Sequence, residues 1–186
     1  MKIFDIPEFK PFHWVEEYEQ LCGQISPTKN YQDLVLNQYA IVPVSWILKK
    51  DNVDILNVDY FGEKKLIGIF TKKIFNHNLV KFKSTLFYMH ADYAQYFLNI
   101  IIKHLEKRLI KETPVIKLDH IKQLIAEIIS DLEVAKMITP LNVAHDSLLA
   151  AALKLMKLPG GRAFLKGSVL ELVWVLRAFN DVYYVS

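Results

Sequence analysis

His145 and Asp146 stand side by side in the stretch NVAHDSLLAAAL. An imidazole beside a carboxylate is a ligand pair suited to a divalent metal that activates water for phosphate-ester hydrolysis. A metal needs more ligands than these two, and His120 upstream and Asp181 downstream are the residues on offer. Position argues the other way. The pair opens an apolar run of helical character, with no Gly or Lys close behind it. Asp146 and Ser147 in a first turn are ordinary helix-start chemistry. The set His120, His145, Asp146 and Asp181 is therefore the alternative, and the primary expectation is a chain with no catalytic residue, metal or other cofactor.

LPGGR raises an anion site. Backbone amides of Gly160 and Gly161 at a helix start can bind an anion, with Arg162 adding a bidentate grip. The phosphate-loop spacing GxxxxGK[ST] is absent, so a helix stop followed by a helix start is the simpler meaning. Cys22 is the one cysteine. It has no basic neighbour in sequence and reads as a buried structural thiol. With no disulfide or Cys-based zinc site possible, a cytoplasmic location is the economical inference. His77 and His90 fall at a turn and at a strand–helix junction, and His104 falls on the polar side of a helix. None makes a spaced ligand pair. Trp46, Tyr60, Phe61, Phe70, Phe75, Phe82, Phe87 and Tyr88 follow strand periodicity, which suits core packing better than a base-stacking platform.

The elements that would position these residues fall into two segments. Residues 1–111 open with an arm, in which Trp14, Tyr18 and Leu21 share one face of a short helix after Pro11 and SPTKN breaks it. From Tyr39 to Met89 the runs YAIVPVSWILKK, NVDILNVDYF, LIGIFTKKIF and LVKFKSTLFYM predict four short strands in an antiparallel meander. Their junctions KKDN, GEKK and NHN are turn-rich. Pro43 places the first strand at an edge or makes it a strand start. ADYAQYFLNIIIKHLEKRLIKE then supplies a covering helix whose stripe is Tyr93, Phe97, Ile100, Ile101, Leu105 and Leu109. Asp92 at its start and Lys103, Lys107 and Arg108 at its end suit the helix dipole. Pro114 ends it. Residues 115–186 predict three helices in an antiparallel bundle: a first with Leu118, Ile121, Leu124, Ile125, Ile128 and Ile129, a second over HDSLLAAALKLMKL, and a third over RAFLKGSVLELVWVLRAF. The fold class is α+β, and the composition shift at 112–117 is the internal boundary.

Composition bounds the partners. Among 186 residues, 52% are hydrophobic and 23% charged, a balance that folds rather than stays disordered. The net charge of +3 is scattered among acidic residues, without the concentrated basic face of a nucleic-acid binder. The N-terminus carries acids and prolines where a signal peptide needs an apolar run. No apolar stretch approaches the roughly 20 residues of a membrane span. An aromatic-rich sheet with one open face makes a homodimer a natural option.

IVPVSWIL, VDILNVDYFGEKKLIGIF and LFYMHADYAQYFLN together resemble the small N-terminal module that precedes HD-GYP and related HD-type domains in some bacterial signalling proteins. That module has a strand opening on a Pro-Val or Pro-Ile pair, a hairpin, and a strand running into a helix, where Asp92, Tyr93 and Tyr96 fit. The resemblance covers residues 41–98 and rests on apolar spacing. In HD-type phosphohydrolases the His-Asp pair ends an apolar helix ahead of a Gly-containing turn. His145-Asp146 does not align with that pair, and the catalytic HD and GYP segments are not among these residues. The resemblance implies a non-catalytic regulatory module that serves a protein partner or its own downstream HD-type domain, linked through it to cyclic-di-GMP turnover. The alternatives are a small HD-like metal phosphohydrolase and a standalone adaptor or immunity-type binding protein.

Overall fold

The computed structural model describes residues 14–47, 54–56, 66–73, 75, 78–160 and 169–184. The chain is α+β, with five α-helices and two small antiparallel sheets among the described residues. Helix α1, Trp14–Ile25, buries Trp14, Tyr18, Leu21 and Cys22 on one face, the periodicity expected of the arm. A single 3₁₀ turn, Tyr31–Leu34, follows; Asn30 caps it by accepting from the Gln32 amide. Strands β1 (Tyr39–Pro43), β2 (Asp54–Leu56) and β3 (Leu66–Phe70) form the larger sheet in the order β1-β3-β2. Tyr39 pairs with Phe70 and Pro43 with Leu66. On the β2 side, Asp54 also lies opposite Phe70.

This sheet corrects the predicted meander in two respects. The third strand in sequence is the middle one, so β1 and β2 are both edges. Pro43 accordingly sits on an edge, as its missing amide hydrogen demands. The fourth predicted strand does not exist. Its residues are the first turns of α2, a 28-residue helix over Val80–Lys107. Phe82, Leu86, His90, Ala94, Phe97, Ile101 and Leu105 are buried along it at three- and four-residue intervals, a helical stripe and not a strand alternation. The local pair Val80 and Phe82 illustrates the difference: Phe82 is buried and Val80 exposed.

Three further expectations change with α2. His90 is mid-helix and not at a junction, and Asp92 lies three turns in, away from the N-terminal dipole. Leu109 leaves the stripe altogether. It is exposed in β4 (Leu109–Ile110), which pairs with β5 (Thr113–Pro114) across the two-residue turn Lys111-Glu112. Both turn residues have positive φ, 47° and 68°, the geometry of a tight hairpin turn.

Helix α3 spans Asp119–Met137 and α4 spans Leu141–Leu155. The turn between them contains a cis Thr139–Pro140 bond. Buried Ile128, Leu132 and Ala135 of α3 and Ala144, Leu148, Ala151 and Ala152 of α4 give the most extensive helix–helix contact in the chain. The small side chains allow close approach of the two backbones. Ile129, predicted on the inner stripe of α3, is exposed. Gly160, after α4, has φ +62°, a left-handed conformation that glycine adopts without steric cost. Helix α5, Val169–Phe179, continues into a π-helical turn at Asn180–Tyr184.

The 112–117 boundary falls on the β4–β5 hairpin and the short 3₁₀ turn after it. Buried residues from before and after it form one contiguous core. The covering helix predicted for the larger sheet, α2, packs among the helices chiefly on α4 and α5, whereas α1 and the Asn180–Tyr184 turn pack on β1. The predicted junctions KKDN and GEKK, together with Tyr60, Phe61 and His77, lie outside the described residues, as do 1–13 and 161–168. No helix among the described residues is long and apolar enough to cross a membrane.

Candidate functional site

The residues that could have formed a metal centre are not brought together. His145 is buried, whereas His120, Asp146 and Asp181 are exposed. Among the described residues no three His, Cys, Asp or Glu side chains are grouped to hold a metal. Adjacent residues on a helix project about 100° apart, so His145 facing the core sends Asp146 to solvent. The pair also sits later in its helix than predicted: α4 begins at Leu141, with Pro140 as its N-cap. Ser147 does no capping and donates to the Val143 carbonyl at 3.1 Å. Of the weak anion site, only Gly160 is described; Gly161 and Arg162 lie outside the described residues.

The structure instead pairs His145 with His90. Both are buried, on α4 and α2, with ring centroids 6.2 Å apart and planes at 71°. Phe179 packs edge-on to His90 at 5.1 Å, and Tyr184 stacks on His145 at 4.2 Å with planes 22° apart. Neither ring nitrogen of His90 has a hydrogen-bond partner among the described residues, and the one polar side chain set against His145 is that of Asn180. Burial holds His145 in its neutral form and lowers its pKa to about 4, with the nearby Asn180 side chain opposing the shift. Burial and the neighbouring His145 together lower His90 as well. A charged imidazole here would lose its hydration without gaining a partner.

The sequence hides this pair, because the strand-favouring residues before His90 place it at a strand–helix junction. The available signal was its place on the three- and four-residue stripe of α2. Cys22 is buried as expected. Burial pushes its thiol up to about 12, although the hydrogen bond with Tyr18 acts against this. That is the opposite of an activated nucleophile.

A different surface is exposed. Val134 and Met137, one turn apart at the end of α3, are 47% and 79% exposed, and Val143 in the first turn of α4 is 44% exposed. The short turn between the helices gathers all three at one end of the α3–α4 pair. No protein-family model, curated protein or solved structure matched the chain.

Proposed function

We propose that this chain is a non-catalytic regulatory or partner-binding module, and that the α3–α4 end carries the contact with its protein partner or output domain. The observation that supports it most directly is the exposure of Met137, Val134 and Val143 at the same end of the α3–α4 pair. A methionine is flexible and polarisable, and apolar side chains gathered at one end of a helix pair suit docking better than solvation. The buried polar groups point the same way, since His90, His145 and Cys22 are all held neutral by burial and sealed from substrate. The resemblance of residues 41–98 to modules that precede HD-type domains adds a bacterial signalling context, with cyclic-di-GMP turnover as the output. Its third element differs here, because LFYMHADYAQYF lies wholly within α2 and does not run from strand to helix.

The test is a photo-crosslinking amino acid placed at position 137, with exposed position 122 as control, in cells of the native host. A discrete protein adduct from 137 alone, lost when Val134 and Val143 are both changed to Asp, is the expected result. Equal adducts from both positions, or divalent-metal-dependent phosphodiester hydrolysis by the purified chain, would overturn the proposal.

A further inference from the structure

Two imidazoles in contact inside an apolar core, with no charged partner and only the Asn180 side chain set against His145, are unusual enough to ask what they are for. A buried polar group without a partner costs stability, and an isosteric apolar pair would pack there more favourably. What histidine adds is a proton-dependent charge near neutral pH.

The pair lies where the C-terminal turn is fastened. Tyr184 stacks on His145, and its hydroxyl donates to the Lys83 carbonyl of α2 at 2.7 Å. Phe179, one residue before the turn, packs on His90. The Tyr183 hydroxyl accepts from the Ile41 amide of β1 at 3.1 Å. Asn180–Tyr184 is thus held on α2, α4 and β1 by a few aromatic and hydrogen-bonding contacts: Tyr183 packs on Phe82 of α2, Tyr184 packs on His145, and His90 holds Phe179 at the root of the turn.

We propose that His90 and His145 form an acid-sensitive latch, whose protonation releases the Asn180–Tyr184 turn from α2 and α4. The groups around the pair offer little to neutralise a proton. From the turn come the neutral Asn180 side chain, which favours a proton on His145 but is outweighed by burial, and Tyr184, with Lys83 of α2 5.6 Å from its ring centroid; an ammonium there opposes a second cation. From α1 comes Tyr18, which reaches the pair through Phe179, with Cys22 beside it. Tyr183 and Tyr18 are both held protonated by burial. The carboxylates of α3 nearest α4, Glu127 and Asp131, pair with Lys154. Asp146 and Asp181 are exposed to solvent.

The direction follows from linkage. Each histidine has a folded-state pKa below its unfolded value of roughly 6.5, so the latch is fully closed above that value. It weakens as pH falls from there toward the folded pKa, which for His145 is about 4. In that window each histidine that takes up a proton only on release shifts the closed–open equilibrium by roughly tenfold per pH unit.

Hydrogen exchange of the whole chain at pH 7.5, 6 and 5, corrected for intrinsic rates, reads this directly. Protection at 180–184 is expected to fall by at least tenfold per pH unit below 6.5, while α3 keeps its protection. In His145→Phe, which keeps the stack and removes a proton site, the fall becomes shallower by about tenfold per unit. Unchanged protection at 180–184, or parallel loss in α3, would overturn the latch. Should the variant fail to fold, ring-proton titration of the wild-type chain decides. His90 and His145 must stay neutral until the 180–184 signals move, and titration of either near 6.5 in the closed state sinks the idea.

Discussion

The hydroxyl of Tyr183 accepts a hydrogen bond from the backbone amide of Ile41, 3.1 Å away and 142 residues distant in sequence. The Ile41 carbonyl accepts in turn from Tyr18 at 2.7 Å. In an antiparallel ladder the amide and carbonyl of one residue point to the same side. Ile41 therefore turns both away from β3, and two buried tyrosine hydroxyls stand where a neighbouring strand would be. This closes an edge that would otherwise be open to pairing. It also explains why Pro43, two residues on and so facing the same way, costs no ladder bond.

Tyr183→Phe is expected to destabilise the fold by about 1–3 kcal/mol, because it leaves the buried Ile41 amide without an acceptor. Tyr18→Phe should cost less, about 1 kcal/mol, since Tyr183 already lies 3.4 Å from the Ile41 carbonyl and can donate to it. Urea denaturation of the two single variants and the double variant checks both the order and the coupling. Equal costs, or a larger cost for Tyr18→Phe, would contradict the edge-capping account.

Phe179 is the packing centre of the same region. It is fully buried and meets Trp14 at 6.2 Å, Tyr18 at 4.9 Å and His90 at 5.1 Å. Phe179→Ala should therefore cost about 3–5 kcal/mol. Phe179→Leu should cost appreciably less, because most of the volume is retained. Thermal and denaturant melts of both variants measure this. A loss under ~1 kcal/mol for the alanine variant would mean that α5 does not join α1 and α2 in one core.

Much of the helical architecture was legible because long amphipathic stretches repeat their signal. The faces of α1 and the inner stripe of α3 through Ile128 follow directly from residue spacing. The start of α2 was not, since Val80, Phe82, Phe87 and Tyr88 are strand-favouring residues. Its stripe also passes through His90, Ala91 and Ala94, which a search for large apolar side chains overlooks. The β4–β5 hairpin was hidden for another reason: its turn uses Lys111-Glu112 where Asn-Gly is the usual signal. The His90–His145 contact joins residues 55 positions apart on two helices, and the stripe that marks His90 as buried does not say which residue it meets.

His145 and Asp146, adjacent in sequence, should respond very differently to replacement. Asp146 is exposed, so Asp146→Ala should change stability by no more than about 0.5 kcal/mol. His145→Ala removes a fully buried ring from its stack on Tyr184 and should cost about 2–4 kcal/mol, as for other buried large-to-small changes. Chemical denaturation at pH 7.5, above the range where His145 charges, isolates the packing effect. Similar losses for the two variants would show that they act as one unit, as metal ligands would.

Cys22 offers a test of the closed core that needs no mutation. Its side chain is buried within α1, and burial raises its thiol to about 12, so almost no thiolate exists near neutral pH. A thiol reagent attacks the thiolate, and it must also reach the sulfur. Alkylation at pH 8 should therefore be at least a hundredfold slower in the native chain than in 6 M guanidinium. The native rate should also rise with Phe179→Ala, by about tenfold for each ~1.4 kcal/mol of stability lost, if attack proceeds through global opening. Rapid native alkylation that is indifferent to that substitution would place Cys22 at a surface, and with it the α1 face that carries Tyr18.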